Sequence, residues 1–190
     1  MAKWLMYSKR ADFTAMGKKY QIDPVVARIL VNRDLTEDAA ITAFLHPSEK
    51  DLGDGKALKD MDVAVVLLQK AIKEKKKIRI IGDYDIDGVV STFILIKGLK
   101  RAGALADTYI PDRVADGYGI HEHLIERAVN DGIDVIVTCD NGIAAYNEIT
   151  MAKENGMTVI ITDHHEIPYK ETEDGRELIL PPADAIVNPK

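Results

Sequence analysis

Three short segments of this chain concentrate side chains suited to chemistry on phosphates and metals. They are Gly82-Asp83-Tyr84-Asp85-Ile86-Asp87-Gly88, Cys139-Asp140-Asn141-Gly142 and Thr162-Asp163-His164-His165-Glu166. Each follows an apolar, β-branched run, respectively IRIIG, IDVIVTC and MTVIIT. Ligands of open parallel sheets bind at the carboxyl ends of the strands, so if these runs are strands of one such sheet, the residues after them converge on one edge. Carboxylates gathered that closely repel one another unless a cation neutralises them. Oxygen donors mixed with imidazole nitrogen suit Mn²⁺ and related divalent ions. A single Asp-Gly turn carries no such meaning, because Asp and Gly after a strand also serve as turn formers or helix caps. The recurrence at one edge, with adjacent histidines in one turn, is what points to a metal site.

The elements that must position these turns are regular from about residue 60. MDVAVVLLQKAIKEKK reads as an amphipathic helix with a basic C-terminal end that suits its dipole. IRIIG is a buried strand, VSTFILIKGLKRAG a helix closed by Gly103, ALADTYIP a second strand and HEHLIERAVNDG a helix closed by Gly132. IDVIVTC, AAYNEITMAKENG and MTVIIT continue as strand, helix and strand, and DAIVN near the end is strand-like. Alternation with short links predicts an α/β fold, a parallel sheet with helices on both faces. Upstream lies a small helical region. Pro24 suits the first turn of the helix in VVARILVNR, Thr36 reads as the N-cap of TEDAAITAFL, and His46-Pro47 stops it. Residues 47–58 are polar and turn-rich, so the expected division is a helical extension over 1–58 and the α/β domain over 59–190.

Composition bounds the function further. The 190 residues are 46% hydrophobic and 29% charged, ordinary for a globular protein. No apolar run reaches the ~18 residues of a membrane span, and Met1 to Arg10 show no secretory signal. The single cysteine, Cys139, excludes an internal disulfide and fits a reducing cytoplasm. The net charge of −6 argues against a grip on a nucleic-acid backbone, unless the acidity is concentrated in a cation site or the basic surface lies elsewhere.

Asp163-His164-His165 after an apolar strand resembles the signature that names the DHH phosphoesterase superfamily. Asp83-Tyr84-Asp85 resembles its first motif and Asp140 its second. IGDYDIDGVVST, YIPDRVADGYGI, VTCDNGI and ITDHHE, in that order, resemble the RecJ family of single-strand DNA exonucleases. The upstream text from ILVNRDLTEDAAITAFLHP to LKDMDVAV does too. This resemblance implies a two-metal phosphodiester hydrolase using Mn²⁺ or Mg²⁺, acting on single-stranded DNA from 5′ to 3′ in repair and recombination. It implies that Asp83 and Asp85 ligate the metals, that Asp140 bridges them and that His164 supplies imidazole to one. His165 would contact the substrate phosphate, while Asp163 would orient the histidines from behind. Asp87-Gly88 would open the following helix, whose amides help hold an anion. In the loop PDRVADGYG, Arg113 would pair with a phosphate and Tyr118 would stack on a base, although a solvated arginine and a tyrosine packed on its glycines are the plainer readings.

The resemblance also sets expectations for what is missing. Some superfamily members carry a histidine just before the first aspartates, where this chain has Ile81. A later aspartate that completes the metal site, and a further DNA-binding domain, would lie beyond AIVNPK, so the chain alone is expected to be a weak or inactive nuclease. Alternatives within the superfamily are hydrolysis of short oligonucleotides or cyclic dinucleotides, or a non-catalytic scaffold. DYDIDGVVS also resembles the first motif of haloacid-dehalogenase phosphatases, with Asp85 as nucleophile and Asp87 as acid, but that reading leaves the Asp-His-His turn without a role. Cys139 ends an apolar strand with no histidine beside it, so it reads as a packed thiol rather than a nucleophile. His121 and His123 sit at a helix start with poor spacing for a shared metal.

Overall fold

The structure, a computed structural model, describes residues 3, 9–173 and 175–190. The chain divides into two compact units, residues 1–53 and 54–190. The first holds helices α1 (Phe13–Tyr20), α2 (Pro24–Asn32) and α3 (Asp38–Leu45). Asp23 caps α2 by accepting the Val25 amide, with Pro24 at the first helical position, where its missing N–H costs nothing. The helix after Thr36 begins one residue later than expected. Ile41 N–H donates to the Glu37 carbonyl, which makes Glu37 rather than Thr36 the N-cap, without a side-chain bond. Among the described residues of this unit, Leu30, Val31, Ala27 and Ile41 are the buried apolar ones.

The second unit runs α4 (Met61–Lys73), β1 (Lys77–Gly82), α5 (Ile86–Arg101), β2 (Leu105–Tyr109), α6 (Glu122–Asn130) and β3 (Val135–Cys139). It continues through α7 (Tyr146–Glu154), β4 (Thr158–Thr162), a hairpin of β5 (Tyr169–Thr172) and β6 (Gly175–Leu178), and β7 (Ala185–Val187). Strands order β2-β1-β3-β4-β7 in one sheet, and every neighbouring pair is parallel. Strand side chains alternate between two cores. Ile81, Ile136, Val159 and Ile161 pack with Ile125 and Ala128 of α6 and Ile149 and Ala152 of α7. Ile78, Ile80, Val135, Val137 and Ile160 pack with Ala64 and Ala71 of α4 and Leu99 of α5. Helices on both faces explain why the central strands are predominantly apolar.

One charge interrupts them. Arg79 in β1 is 7% exposed, and its Nε and Nη2 reach the two carboxylate oxygens of Asp107 at 2.9 and 2.7 Å. Asp107 is its register partner on β2, and Nη1 meets Asp131 at 2.8 Å. A buried guanidinium satisfied by paired carboxylates is the tolerable way to place charge there.

The strand order fixes where a site can form. The chain passes from β1 outward to β2 and then back past β1 to β3, so the topology reverses between β1 and β3, where crevices open at the carboxyl edge. Register then aligns four polar residues. Gly82, Cys139, Thr162 and Val187 are mutual partners across the sheet. The residue after each strand is therefore Asp83, Asp140, Asp163 and Asn188, a buried polar rank along one edge.

Candidate metal centre

Each member of that rank is held by its local backbone. Asp83 accepts the Tyr84 amide at 2.8 Å. Asp140 stands at φ 62°, a left-handed conformation that Asp adopts more readily than most side chains, and its amide donates to the Thr162 carbonyl at 3.0 Å. Gly142 follows at φ 104°, and a Cβ there would lie 2.7 Å from Thr138 Oγ1. Asp85 is the N-cap of α5, accepting the Gly88 amide at 3.0 Å. The helix thus opens inside the acidic turn, at Ile86. Gly88 has no room for a side chain, since a Cβ would meet the Asp83 Cβ and carbonyl oxygen at 2.6 Å. That close approach sets the first helical turn directly on Asp83.

Asp163 anchors the histidine turn. One oxygen accepts the Ile143 amide at 2.9 Å, and the other accepts the amides of His164 and His165 at 2.7 and 3.1 Å. That second oxygen also lies 2.7 Å from His165 Nδ1. His165 Nε2 meets the Tyr118 hydroxyl at 3.0 Å, so both ring nitrogens are engaged. His164 turns the other way, its Nε2 2.7 Å from Asp140 Oδ1 and 3.9 Å from Asp87 Oδ2.

Two triplets of donor atoms result, each lying within 4.8 Å of one another: Asp83, Asp85 and Asp140, and Asp140, His164 and His165. Asp140 belongs to both. Burial raises Asp83 and Asp140 above the ordinary carboxylate range, with the negative neighbours Asp85 and Asp87 adding to it. Asp85 shifts down, chiefly because the Gly88 amide stabilises its charge. The hydrogen bond that its ring N–H donates to Asp163 raises His165. Burial and the surrounding carboxylates push Tyr118 up to about 12, so it stays a phenol and a donor at neutral pH. Buried carboxylates whose charges repel one another are what a divalent cation relieves, and the mixed oxygen and imidazole set fits such an ion.

The sequence-derived residues therefore fall into three groups. Asp83, Asp85, Asp140, His164 and His165 converge. Asp163 lies behind the histidines, and Asp87 is an exposed neighbour of His164. Tyr118 reaches the cluster through His165, whereas Arg113 sits 5.3 Å over the ring of Tyr84, which packs edge-on to Tyr118. Cys139 is buried with its thiol pushed up by burial, in keeping with a packing role. Asn188 has no motif to announce it. It donates from Nδ2 to the His165 carbonyl at 3.1 Å, and only the pairing of β7 with β4 reveals it.

The family model described as DHH family, N-terminal domain, matches residues 77–190. The chain belongs to the DHH family. Among DHH-family relatives, the single-stranded-DNA-specific exonuclease RecJ of Bacillus subtilis is 40% identical over 167 residues, 88% of this chain and 21% of its own length. The protein of that name from Haemophilus influenzae is 36% identical over 179 residues, 92% of this chain and 28% of its own length. A solved structure of exonuclease RecJ bound to manganese superposes with a TM-score of 0.63 at 36% identity, covering 73% of this chain and 33% of that one. RecJ from Thermus thermophilus in complex with Mn²⁺ gives 0.59 at 29% identity, covering 96% of this chain and 24% of that one. The chain thus spans between about a fifth and a third of these relatives. Membership in the DHH family sets aside the haloacid-dehalogenase reading. No helix among the described residues is long and apolar enough to cross a membrane.

Proposed function

We propose that this chain supplies the metal-holding core of a phosphodiester hydrolase that degrades single-stranded DNA. The observation that supports it is Asp140, common to both donor triplets, whose carboxylate would bridge two cations. Asp83 and Asp85 complete one site and His164 the other. Divalent cations bound there would act as Lewis acids and lower the pKa of water. His165, with Nδ1 fixed by Asp163, would donate from Nε2 to a substrate phosphate that takes the place of the Tyr118 hydroxyl now 3.0 Å from that nitrogen. Asp87 sits where it steadies His164. Tyr118, which meets His165, and Arg113, which lies over the ring of Tyr84, would serve the strand as a stacking surface and a phosphate partner. On this reading residues 59–190 would form the domain that carries the site and 1–58 a helical extension, a boundary five residues beyond the division of the structure at 53/54.

Mn²⁺ or Mg²⁺ is the cation this donor set favours, and manganese is bound in the similar solved proteins. A 5′-to-3′ direction and a part in DNA repair and recombination come to this chain through its likeness to the RecJ relatives. The buried, unpaired Cys139 supports a cytoplasmic setting.

Calorimetric titration with Mn²⁺ of this chain beside Asp140→Ala tests the proposal. Binding by the chain and its loss in the variant is the expected result. Equal binding by both would remove Asp140 from the metal centre, and none by either would mean that these residues do not hold a cation without the later aspartate or that the cluster is structural.

A further inference from the structure

β7 is the shortest strand of the five-stranded sheet, yet it is tied down along its length. Ahead of it the Asp184 amide donates to the Val159 carbonyl at 2.8 Å, and the Asp184 carboxylate accepts the Val159 amide at 2.7 Å and Lys153 Nζ at 2.6 Å. In its middle the Ile186 amide donates to Asp60 at 3.2 Å, and at its end the Val187 carbonyl accepts the Asp163 amide at 3.1 Å. The residue that this bracing delivers to the carboxyl edge is Asn188, 6% exposed.

The Asn188 side chain is satisfied in two directions. Its Oδ1 accepts the Lys190 amide at 2.9 Å, which settles which end of the side chain is the acceptor, since a backbone N–H only donates. Its Nδ2 therefore faces the His165 carbonyl, to which it donates at 3.1 Å. On the other side of the same residue, Asp163 accepts the His165 amide at 3.1 Å. Both peptide groups of His165 are thus held by buried side chains, one following β4 and the other following β7. The two planar peptide groups that flank a residue set its φ and ψ, and with them the direction in which its side chain leaves the backbone.

That control matters because the His165 side chain is 42% exposed and has no enclosing core to orient it. The contact between Nδ1 and Asp163 alone is a pivot about which the ring can swing. A second anchor on the backbone removes that freedom, and small misplacements of a group that meets the reacting phosphate are costly.

We propose that Asn188 is a positioning residue, which acts through the His165 carbonyl to aim the His165 imidazole at the substrate phosphate. The proposal rests on the phosphodiesterase reading above and adds to it a residue on the fifth strand.

Two measurements on the whole chain test it, with Asn188→Leu as the variant of similar size that lacks the donor and Asn188→Ala as the alternative if the leucine prevents folding. In metal-free protein, NMR cross-peaks between the rings of Tyr118 and His165, whose centroids lie 5.9 Å apart, should be present in the parent and lost in the variant. Cross-strand peaks between β3 and β4 should persist and show that the variant is folded. With Mn²⁺ bound, the variant should bind thymidine 5′-monophosphate about tenfold more weakly than the parent. In a His165→Ala background the same substitution should cost nothing further, because a residue that acts through His165 has no effect once that ring is gone. Retention of the ring contact, or losses that simply add in the double variant, would overturn the assignment and leave the metal centre standing. A parent that binds neither Mn²⁺ nor the nucleotide would overturn the phosphodiesterase reading of this chain, and the ring contact would then decide by itself whether Asn188 orients His165.

Discussion

Asp163 holds His165 by both ends of one residue: the same carboxylate oxygen that lies 2.7 Å from Nδ1 also accepts the His165 amide. Its partner oxygen ties the pair to Ile143 across the β3 turn. Asp163→Ala would strand these buried donors and should cost roughly 3 kcal/mol in urea denaturation. Asp163→Asn keeps the volume but offers one acceptor oxygen instead of two, and should weaken Mn²⁺ binding about 10–100-fold by calorimetry. Unchanged affinity in the Asn variant would show that this residue does not position the histidines.

The acidic cluster should oppose folding when no metal is present. Burial raises Asp83 and Asp140 in the folded chain, so the folded state holds their protons more tightly than the unfolded state. The corresponding stability is therefore lacking at neutral pH and is regained as pH falls through the folded pKa toward the unfolded value near ~3.9. Asp140→Asn removes the charge, and Asn tolerates the left-handed backbone of that position. In metal-free protein the variant should have a higher urea midpoint than the parent at neutral pH, with the gap closing near ~pH 4. Saturating Mn²⁺ at about 100 times its Kd should add about 2.7 kcal/mol to the parent alone.

Two glycines of α5 predict opposite outcomes for one substitution. Gly88→Ala drives a Cβ into Asp83 at 2.6 Å and should cost about 1–3 kcal/mol while weakening Mn²⁺ binding. Gly98→Ala meets nothing within 4 Å and should stabilise by about 0.5–1 kcal/mol without touching metal affinity. Thermal melts and Mn²⁺ titrations of the two variants check both signs.

Arg79 tests how far the sheet depends on its buried charge. Arg79→Lys retains the charge but loses the two-pronged contact with Asp107, and should lower stability by about 1–2 kcal/mol. Mn²⁺ affinity should be unchanged, because the residue lies in mid-strand, away from the carboxyl edge. A Lys variant as stable as the parent would mean that charge, and not fork geometry, is what the site requires.

The sheet was legible because β1, β3 and β4 are apolar runs punctuated by turn residues, and burial on both faces leaves that pattern no alternative. The acidic turns were legible for the same reason, since each directly follows such a run. Asn188 was not, because its place depends on β7 pairing with β4 rather than on any local pattern. The β5–β6 hairpin gave no signal, as its described residues are exposed and carry no apolar alternation. Asp85 read as a metal ligand but not as a helix cap, though its carboxylate is placed for both. Asn141 passed as part of a turn motif, and only its burial without a partner sets it apart.

The rank of Asp83, Asp140, Asp163 and Asn188 has a kinetic consequence. These residues come from strands far apart in the chain, and no hairpin or single helix brings any two of them together. The turns that bear Asp83 and Asp85 or His164 and His165 are local, but the complete site around Asp140 exists only once the central strands have found their register. A cation that binds it cannot hasten the slow search for that register, because there is no complete site to bind beforehand. It can only delay escape from the finished state. Metal should therefore leave the refolding rate nearly unchanged and lengthen the lifetime of the folded chain, which makes the ion a latch on the assembled sheet rather than a seed for it.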